Sequence, residues 1–309
     1  MYRITFVLGG EKAYRQRAMR ILLATLTMVD RAYIEEYEGT DTPAPHPKEL
    51  SYEEEPLDVD DWLDASALVR MGSADCEDLA CYVAAWLQAK RGLMAWPKVI
   101  EDAHGDSHTV VALPGGKTID PSLFLGREAH PGEKHACTCL GKNSPTQRIT
   151  IVTDLFKNKT KIAQKNSATL MDAPQELSHR TLTLLLHALF LIDCLYLMTH
   201  PDAPPIYQAG VHYEEEPPGR EEWQDIPSTV LIGNGDCEDL ATWCAAQYVV
   251  RQRLQARPTF VWRLRPSGAY LYHIQTTLPD GSVEDPSRVL GMGKNLKVTP
   301  YENRLRTSA

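Results

Sequence analysis

The sequence predicts an α+β protein made of two copies of one domain, each with a cysteine-bearing central helix packed on an antiparallel sheet. Three observations predict it. Tyr52-Glu53-Glu54-Glu55-Pro56 recurs as Tyr213-Glu214-Glu215-Glu216-Pro217, a shift of 161. At the same shift Trp62 falls on Trp223, Asp64 on Asp225, Gly72 on Gly233, and Asp75-Cys76-Glu77-Asp78-Leu79-Ala80 on Asp236-Cys237-Glu238-Asp239-Leu240-Ala241. Each copy then passes from a helical stretch to a run of strands, the order expected of helices packed against an antiparallel sheet.

The elements follow in order. Residues 1–8 alternate as a short strand, and Arg3-Ile4-Thr5-Phe6-Val7 matches Arg148-Ile149-Thr150-Ile151-Val152 at a shift of 145. The first helix follows; Met28-Val29-Asp30-Arg31-Ala32-Tyr33 matches Leu191-Ile192-Asp193-Cys194-Leu195-Tyr196 at a shift of 163. The second copy therefore holds about 18 extra residues between its first strand and first helix, around 157–174. An acidic, Pro-containing loop leads to the central helix over 73–90, with Leu79, Val83, Trp86 and Leu87 on one face. Strands are expected over 97–102, 107–113 and 117–119, and over 259–265, 270–278 and 282–284 in the second copy. The boundary falls in Gly141-Lys142-Asn143-Ser144-Pro145, which has linker composition, so the domains are expected at 1–142 and 146–309.

Each copy places a histidine and an aspartate after its cysteine. His108 and Asp120 are 12 apart, as are His273 and Asp285, and both aspartates run into Pro-Ser. The Cys-to-His spacing is 32 in one copy and 36 in the other, so only the intervening loop differs. Leu113-Pro114-Gly115-Gly116-Lys117 and Leu278-Pro279-Asp280-Gly281-Ser282 fit three-residue hairpin loops, with Pro at the first turn position and Gly at the left-handed one. Leu113 then pairs with Lys117, which sets Asp120 opposite Val110 and diagonal to His108. Diagonal separations of roughly 7–8 Å leave room for a carboxylate–imidazole hydrogen bond. Asp75 suits the N-cap and Asp78 the third position of the central helix. Cys76 is then the first helical residue, where the helix dipole favours thiolate while Asp75, Glu77 and Asp78 oppose it.

Gly-x-x-Asp-Cys-Glu-Asp-Leu-Ala, then His on a strand, then Asp-Pro-Ser resembles the transglutaminase-like superfamily of papain-fold proteins. The stretch Gly235-Asp236-Cys237-Glu238-Asp239 is similar to bacterial transglutaminase-like cysteine proteinases. The resemblance covers 52–122 and 213–287 and implies two tandem papain-like domains. It implies Cys76 and Cys237 as nucleophiles, His108 and His273 as bases, and Asp120 and Asp285 as orienting groups. In the proteinase branch, acids flanking the cysteine bind calcium, which would bring in Asp75, Glu77, Asp236 and Glu238. The chain departs from that branch in its Asp-Pro-Ser ending and its duplication, and helix capping is the preferred reading of those acids, so no metal or other cofactor is expected. The oxyanion would be met by the cysteine backbone amide and a second donor, for which the indoles of Trp62 and Trp223 compete with plain core packing.

Composition bounds the rest. A 309-residue chain with 43% hydrophobic and 24% charged residues is that of a soluble protein with room for two cores. A net charge of −9 argues against duplex nucleic acid as a partner. The one basic cluster, Lys157, Lys159, Lys161 and Lys165, reads as a solvated loop, as do Glu53-Glu54-Glu55 and Glu214-Glu215-Glu216. Residues 1–8 lack the long apolar run of a secretory signal. Residues 182–198 are short for a membrane span and contain His187 and Asp193; an Asp near the middle costs roughly 2.5–3.5 kcal/mol, so a core helix and no membrane are expected. Seven cysteines give no disulfide framework and fit reduced thiols in the cytoplasm, with Cys81, Cys194 and Cys244 as small core residues. His135, Cys137 and Cys139 form no known zinc spacing.

Two function classes follow. One is a thiol acyl-transfer enzyme acting on amide bonds of a protein or peptide substrate, a cysteine protease or amidase in preference to a crosslinking transglutaminase. The other is a non-catalytic assembly protein, for example of a bacteriophage particle, which would place it in a virion among neighbouring subunits.

Overall fold

Helical and alternating segments form where the periodicities require them, and the result is a mixed α+β fold. The structure, a computed structural model, describes residues 2–36, 45, 50–55, 60–101, 107–125, 146–153, 173–217, 220–264 and 270–293. The expected linker at 141–145, almost all of the extra segment, its lysine cluster, and His135, Cys137 and Cys139 lie outside the described residues.

The chain divides into two units, Met1–Thr5 with Gln16–Leu185, and Phe6–Arg15 with Leu186–Ala309. In the first unit, α3 (Cys76–Arg91) starts at an Asp75 cap and stops at Gly92, whose φ of 61° only glycine adopts readily. It packs on the antiparallel sheet β5 (Trp96–Glu101), β6 (Ser107–Ala112) and β7 (Thr118–Ile119). Ala80, Val83 and Ala84 meet Val111, with Leu87 and Ile119 beside them. On its other side Leu79, Tyr82 and Ala85 meet Ala32, Tyr33 and Ile34 of α1 (Lys12–Glu36) and Leu68 of α2 (Ala65–Met71). The single apolar face expected for this helix is therefore two faces, because a helix apolar most of the way round is buried from both sides.

The second unit repeats the plan. Helix α7 (Cys237–Gln252) lies with β12 (Arg257–Leu264), β13 (Tyr270–Thr277) and β14 (Val283–Glu284). Leu240, Trp243 and Cys244 pack with Cys194 and Leu197 of α5 (Ala173–Thr199) and Ile226 of α6 (Ile226–Ile232). The stretch Leu177–Thr199 is long and apolar enough to cross a membrane, with 56% of its window buried. Its Asp193 is fully buried and accepts the Ile226 N–H at 3.0 Å. Asp30, at the same repeat position, accepts the Ala65 N–H at 2.7 Å.

The first strands are exchanged between the repeats. In the first unit, β8 (Gln147–Thr153), which opens the second repeat, runs parallel to β3 (Asp61–Leu63), with Trp62 opposite Ile151 and Leu63 opposite Val152. In the second unit the end of β1 (Tyr2–Leu8), which opens the first repeat, lies beside β10 (Glu222–Gln224). There the Asp225 N–H donates to Val7 O at 3.1 Å, and Phe6 meets Trp223 edge to face. Sequence alone assigns each strand to its own repeat; because both read Arg-Ile-Thr-x-Val, periodicity cannot tell which slot each one fills.

Candidate active site

The hairpin loops set the site. Leu113 N–H donates to Lys117 O at 2.8 Å, Val111 pairs with Ile119, and Gly115 and Gly116 take φ of 77° and 78°. In the second unit Leu278 N–H donates to Ser282 O at 2.9 Å, Thr276 pairs with Glu284, and Gly281 has φ 82°. These registers carry Asp120 and Asp285 to the strand ends diagonal to the histidines. His108 Nε2 lies 2.8 Å from Asp120 Oδ2, and His273 Nε2 lies 3.0 Å from Asp285 Oδ2. Each aspartate also caps the short helix that follows. Asp120 Oδ1 accepts from Ser122 N–H at the start of α4 (Pro121–Phe124), and Asp285 Oδ1 from Arg288 N–H in α8 (Pro286–Val289). The carboxylates are thus held from two sides, which orients the imidazoles.

Asp285 carries more than its counterpart's expected partner. Gln275 Nε2 donates to its Oδ2 at 3.3 Å, and the Arg288 guanidinium lies 3.0 Å from the same oxygen. At the corresponding places the first unit has Val110 and Leu123.

Each cysteine opens its helix, as expected from the cap. Cys76 is 3% exposed and Cys237 is half-buried. Each sulfur is within reach of the backbone N–H that follows the histidine, Thr109 for Cys76 and Ile274 for Cys237. The thiols donate to the next side chain: Cys76 Sγ to Glu77 Oε2 at 2.8 Å, and Cys237 Sγ to Glu238 Oε2 at 3.1 Å. Burial, then Glu77 and Asp75, push the Cys76 thiol well above its ordinary range; burial, then Glu238 and Asp236, do the same to Cys237. The helix dipole therefore loses to burial and the flanking acids, and both cysteines rest as thiols.

The acids are used by the fold. Asp75 accepts the Glu77 and Asp78 N–H groups at 3.2 and 3.5 Å. Asp78, expected to cap its own helix, instead takes the Leu63 N–H at 2.8 Å; Asp239 takes that of Gln224 at 2.7 Å and with its other oxygen caps its own helix at the Asp236 N–H, 3.1 Å away. Glu55 and Glu216, expected to be solvated, accept the N–H groups of Asp61 and Glu222 at 3.1 and 2.8 Å, closing the acidic loop on itself. Burial raises Glu55 to about 8, Asp60 to about 7 and Asp75 to about 6. Among the described residues no group of three or more His, Cys, Asp or Glu side chains is placed to hold a metal ion, the calcium candidates Asp75, Glu77, Asp236 and Glu238 included.

Trp62 and Trp223, the expected oxyanion donors, are buried, and their indole N–H groups donate to Asp60 Oδ1 at 2.7 Å and Glu221 Oε1 at 3.0 Å. An acid two residues before each tryptophan accepts from its indole N–H. Sequence reasoning passed over Tyr52 and Tyr213. Tyr213 pairs with Gly235, two residues before Cys237, and Tyr52 with Ala74, two before Cys76. The signal was their recurrence at the shift of 161. Cys81, Cys194 and Cys244 are buried core thiols, and Cys244 also lies beside Glu284 and Tyr207.

Compared with known proteins, the chain matches no family model, no curated protein and no solved structure.

Proposed function

We propose that the protein is a thiol-dependent acyl-transfer enzyme of the transglutaminase-like, papain-fold class, with one Cys-His-Asp site in each of two tandem domains. The observation that carries this reading is the recurrence, in both units, of a histidine, bonded to an aspartate, on a strand against which the helix opened by the cysteine packs.

The chemistry runs from the resting thiol. The histidine takes the thiol proton as the sulfur attacks an amide carbonyl carbon; the S–C bond forms and the carbonyl electron pair moves to oxygen. Collapse breaks the C–N bond, and the imidazolium gives its proton to the departing amine. The Asp120 or Asp285 carboxylate holds the ring and stabilises its charged form meanwhile. Water then cleaves the thioester, making the enzyme a protease or amidase; an amine acceptor would make it a crosslinking enzyme. The nearer resemblance to proteinase motifs favours water and a protein or peptide substrate.

One observation favours the second reading, a non-catalytic assembly protein: Cys76 is almost inaccessible, and burial above all holds both thiols protonated. Thiol reactivity separates the two. Iodoacetamide should label Cys237 first, then Cys76, both faster than Cys81 or Cys244, and His108→Ala and His273→Ala should slow their own sites at least about tenfold. Slow labelling that neither substitution changes would leave the assembly reading.

A further inference from the structure

We propose that the Tyr213 hydroxyl is the second donor to the oxyanion at Cys237; this rests on the acyl-transfer reading above. The backbone places both tyrosines identically. The two-residue strand β9 (His212–Tyr213) runs parallel to β11 (Asn234–Gly235), and β2 (Ser51–Tyr52) to β4 (Ser73–Ala74). Glu214 N–H donates to Gly235 O at 3.0 Å, and Glu53 N–H to Ala74 O at 2.9 Å. On the other side Tyr213 N–H donates to Leu290 O at 3.0 Å, and Tyr52 N–H to Leu125 O at 2.8 Å. Leu290 and Leu125 end the short helices capped by Asp285 and Asp120. Each tyrosine is therefore fastened between the chain that leads into the cysteine and the chain that leaves the aspartate.

The surroundings fit a donor. The half-buried Tyr213 phenol lies within electrostatic reach of Cys237, Asp236, Glu215 and Glu238. Burial, then those groups, hold it well above the ordinary phenol range, so it keeps the proton that a donor needs. Negative charge developing on a substrate oxygen beside so many acids is opposed unless hydrogen-bond donors face it. The N-terminal N–H groups of α7, which no helical carbonyl satisfies, supply one. The indoles of Trp62 and Trp223 are engaged elsewhere. During attack the phenol donates a hydrogen bond and transfers no proton: the S–C bond forms, the carbonyl pair goes to oxygen, and the pair returns as the leaving group departs.

The test uses the full chain with one thiol at a time, Cys76→Ser for the second site and Cys237→Ser for the first. p-Nitrophenyl acetate reports acylation as a burst of nitrophenolate, and iodoacetamide reports thiol reactivity without an oxyanion. Tyr213→Phe in the first background should lower the acylation rate about 100-fold and leave alkylation within about twofold. If acylation and alkylation fall together, the tyrosine only positions the sulfur and the proposal is overturned. If neither falls, it is overturned as well. A parent chain that alkylates but gives no burst overturns the acyl-transfer reading itself, an outcome visible before any tyrosine is changed.

Discussion

Replacing Glu238 with glutamine should speed alkylation of Cys237 in alkaline buffer and leave it nearly unchanged at neutrality. The thiol donates to Glu238 Oε2 at 3.1 Å. A full charge at that distance opposes the thiolate by about 5 kcal/mol at an effective dielectric of about 20. Cys237 is only half-buried, and solvent reduces the opposition to about 2 kcal/mol, roughly a 30-fold loss of thiolate. The charge is not present at every pH. Burial, then Glu221, raise the Glu238 carboxyl to about 8. At neutral pH only about one molecule in ten carries the charge. Wild type thus acquires its opposing charge as the pH rises through that value, while the glutamine variant never does. In the Cys76→Ser background, iodoacetamide alkylation followed by intact mass should match within about threefold near pH 7 and run about 30-fold faster in the variant near pH 9.5. Equal rates across the whole range would refute the electrostatic account of the resting thiol.

Two stability predictions follow from buried groups. Asp225 accepts from Gly9 N–H at 2.9 Å, Tyr14 O–H at 3.0 Å and Ser228 N–H at 3.0 Å, so Asp225→Ala should cost about 3–5 kcal/mol, read from urea midpoints. Burial raises this carboxyl from 3.8 to about 6 on folding. Its contribution is complete below the unfolded value and is lost as pH rises through the folded one. Wild type should therefore lose stability relative to Asp225→Asn between about pH 4 and 6; a constant difference over that window contradicts the assignment. At Gly9 an added Cβ would meet Ser228 N at 2.8 Å, so Gly9→Ala should cost about 1–3 kcal/mol, and an unchanged midpoint would mean that β1 does not sit beside Asp225.

What the sequence made legible was whatever local chemistry decides. Pro114 and Gly115 admit one kind of loop, and that loop fixes the pairing that brings Asp120 to His108. Asp75 before Cys76 names the helix start by the orphan amides it satisfies. What stayed hidden depends on burial. Glu77 beside Cys76 is visible in the chain, but whether its charge or the helix dipole prevails turns on how much water reaches the thiol, and at 3% exposure little does. Glu55 and Glu216 looked like loop charge because the groups that donate to them, the Asp61 and Glu222 amides, are neighbours only once the loop has closed. Tyr52 and Tyr213 stood in the repeat, yet a tyrosine ahead of three glutamates has no chemistry until a strand pairing sets it beside the residues that lead into the cysteine.

The exchange of first strands has a local cause that the two repeats carry between them. The slot beside β10 ends against Pro227 and Ser228, so closely that the residue after the strand can have no Cβ. The first repeat supplies Gly9 there; at the same place the second repeat has Asp154. The slot beside β3 ends at Ser66, whose hydroxyl lies 3.4 Å from that of Thr153, the last residue of β8. The first repeat has Leu8 where β8 has Thr153, and the second repeat has Pro227 where the first has Ser66. Each strand thus matches the slot of the opposite repeat and mismatches its own, by a clash in one case and a missing hydroxyl partner in the other. Ile-Thr-x-Val at the strand centres is common to both and decides nothing; the residues that differ, Gly9, Thr153, Ser66 and Pro227, select the crossed arrangement.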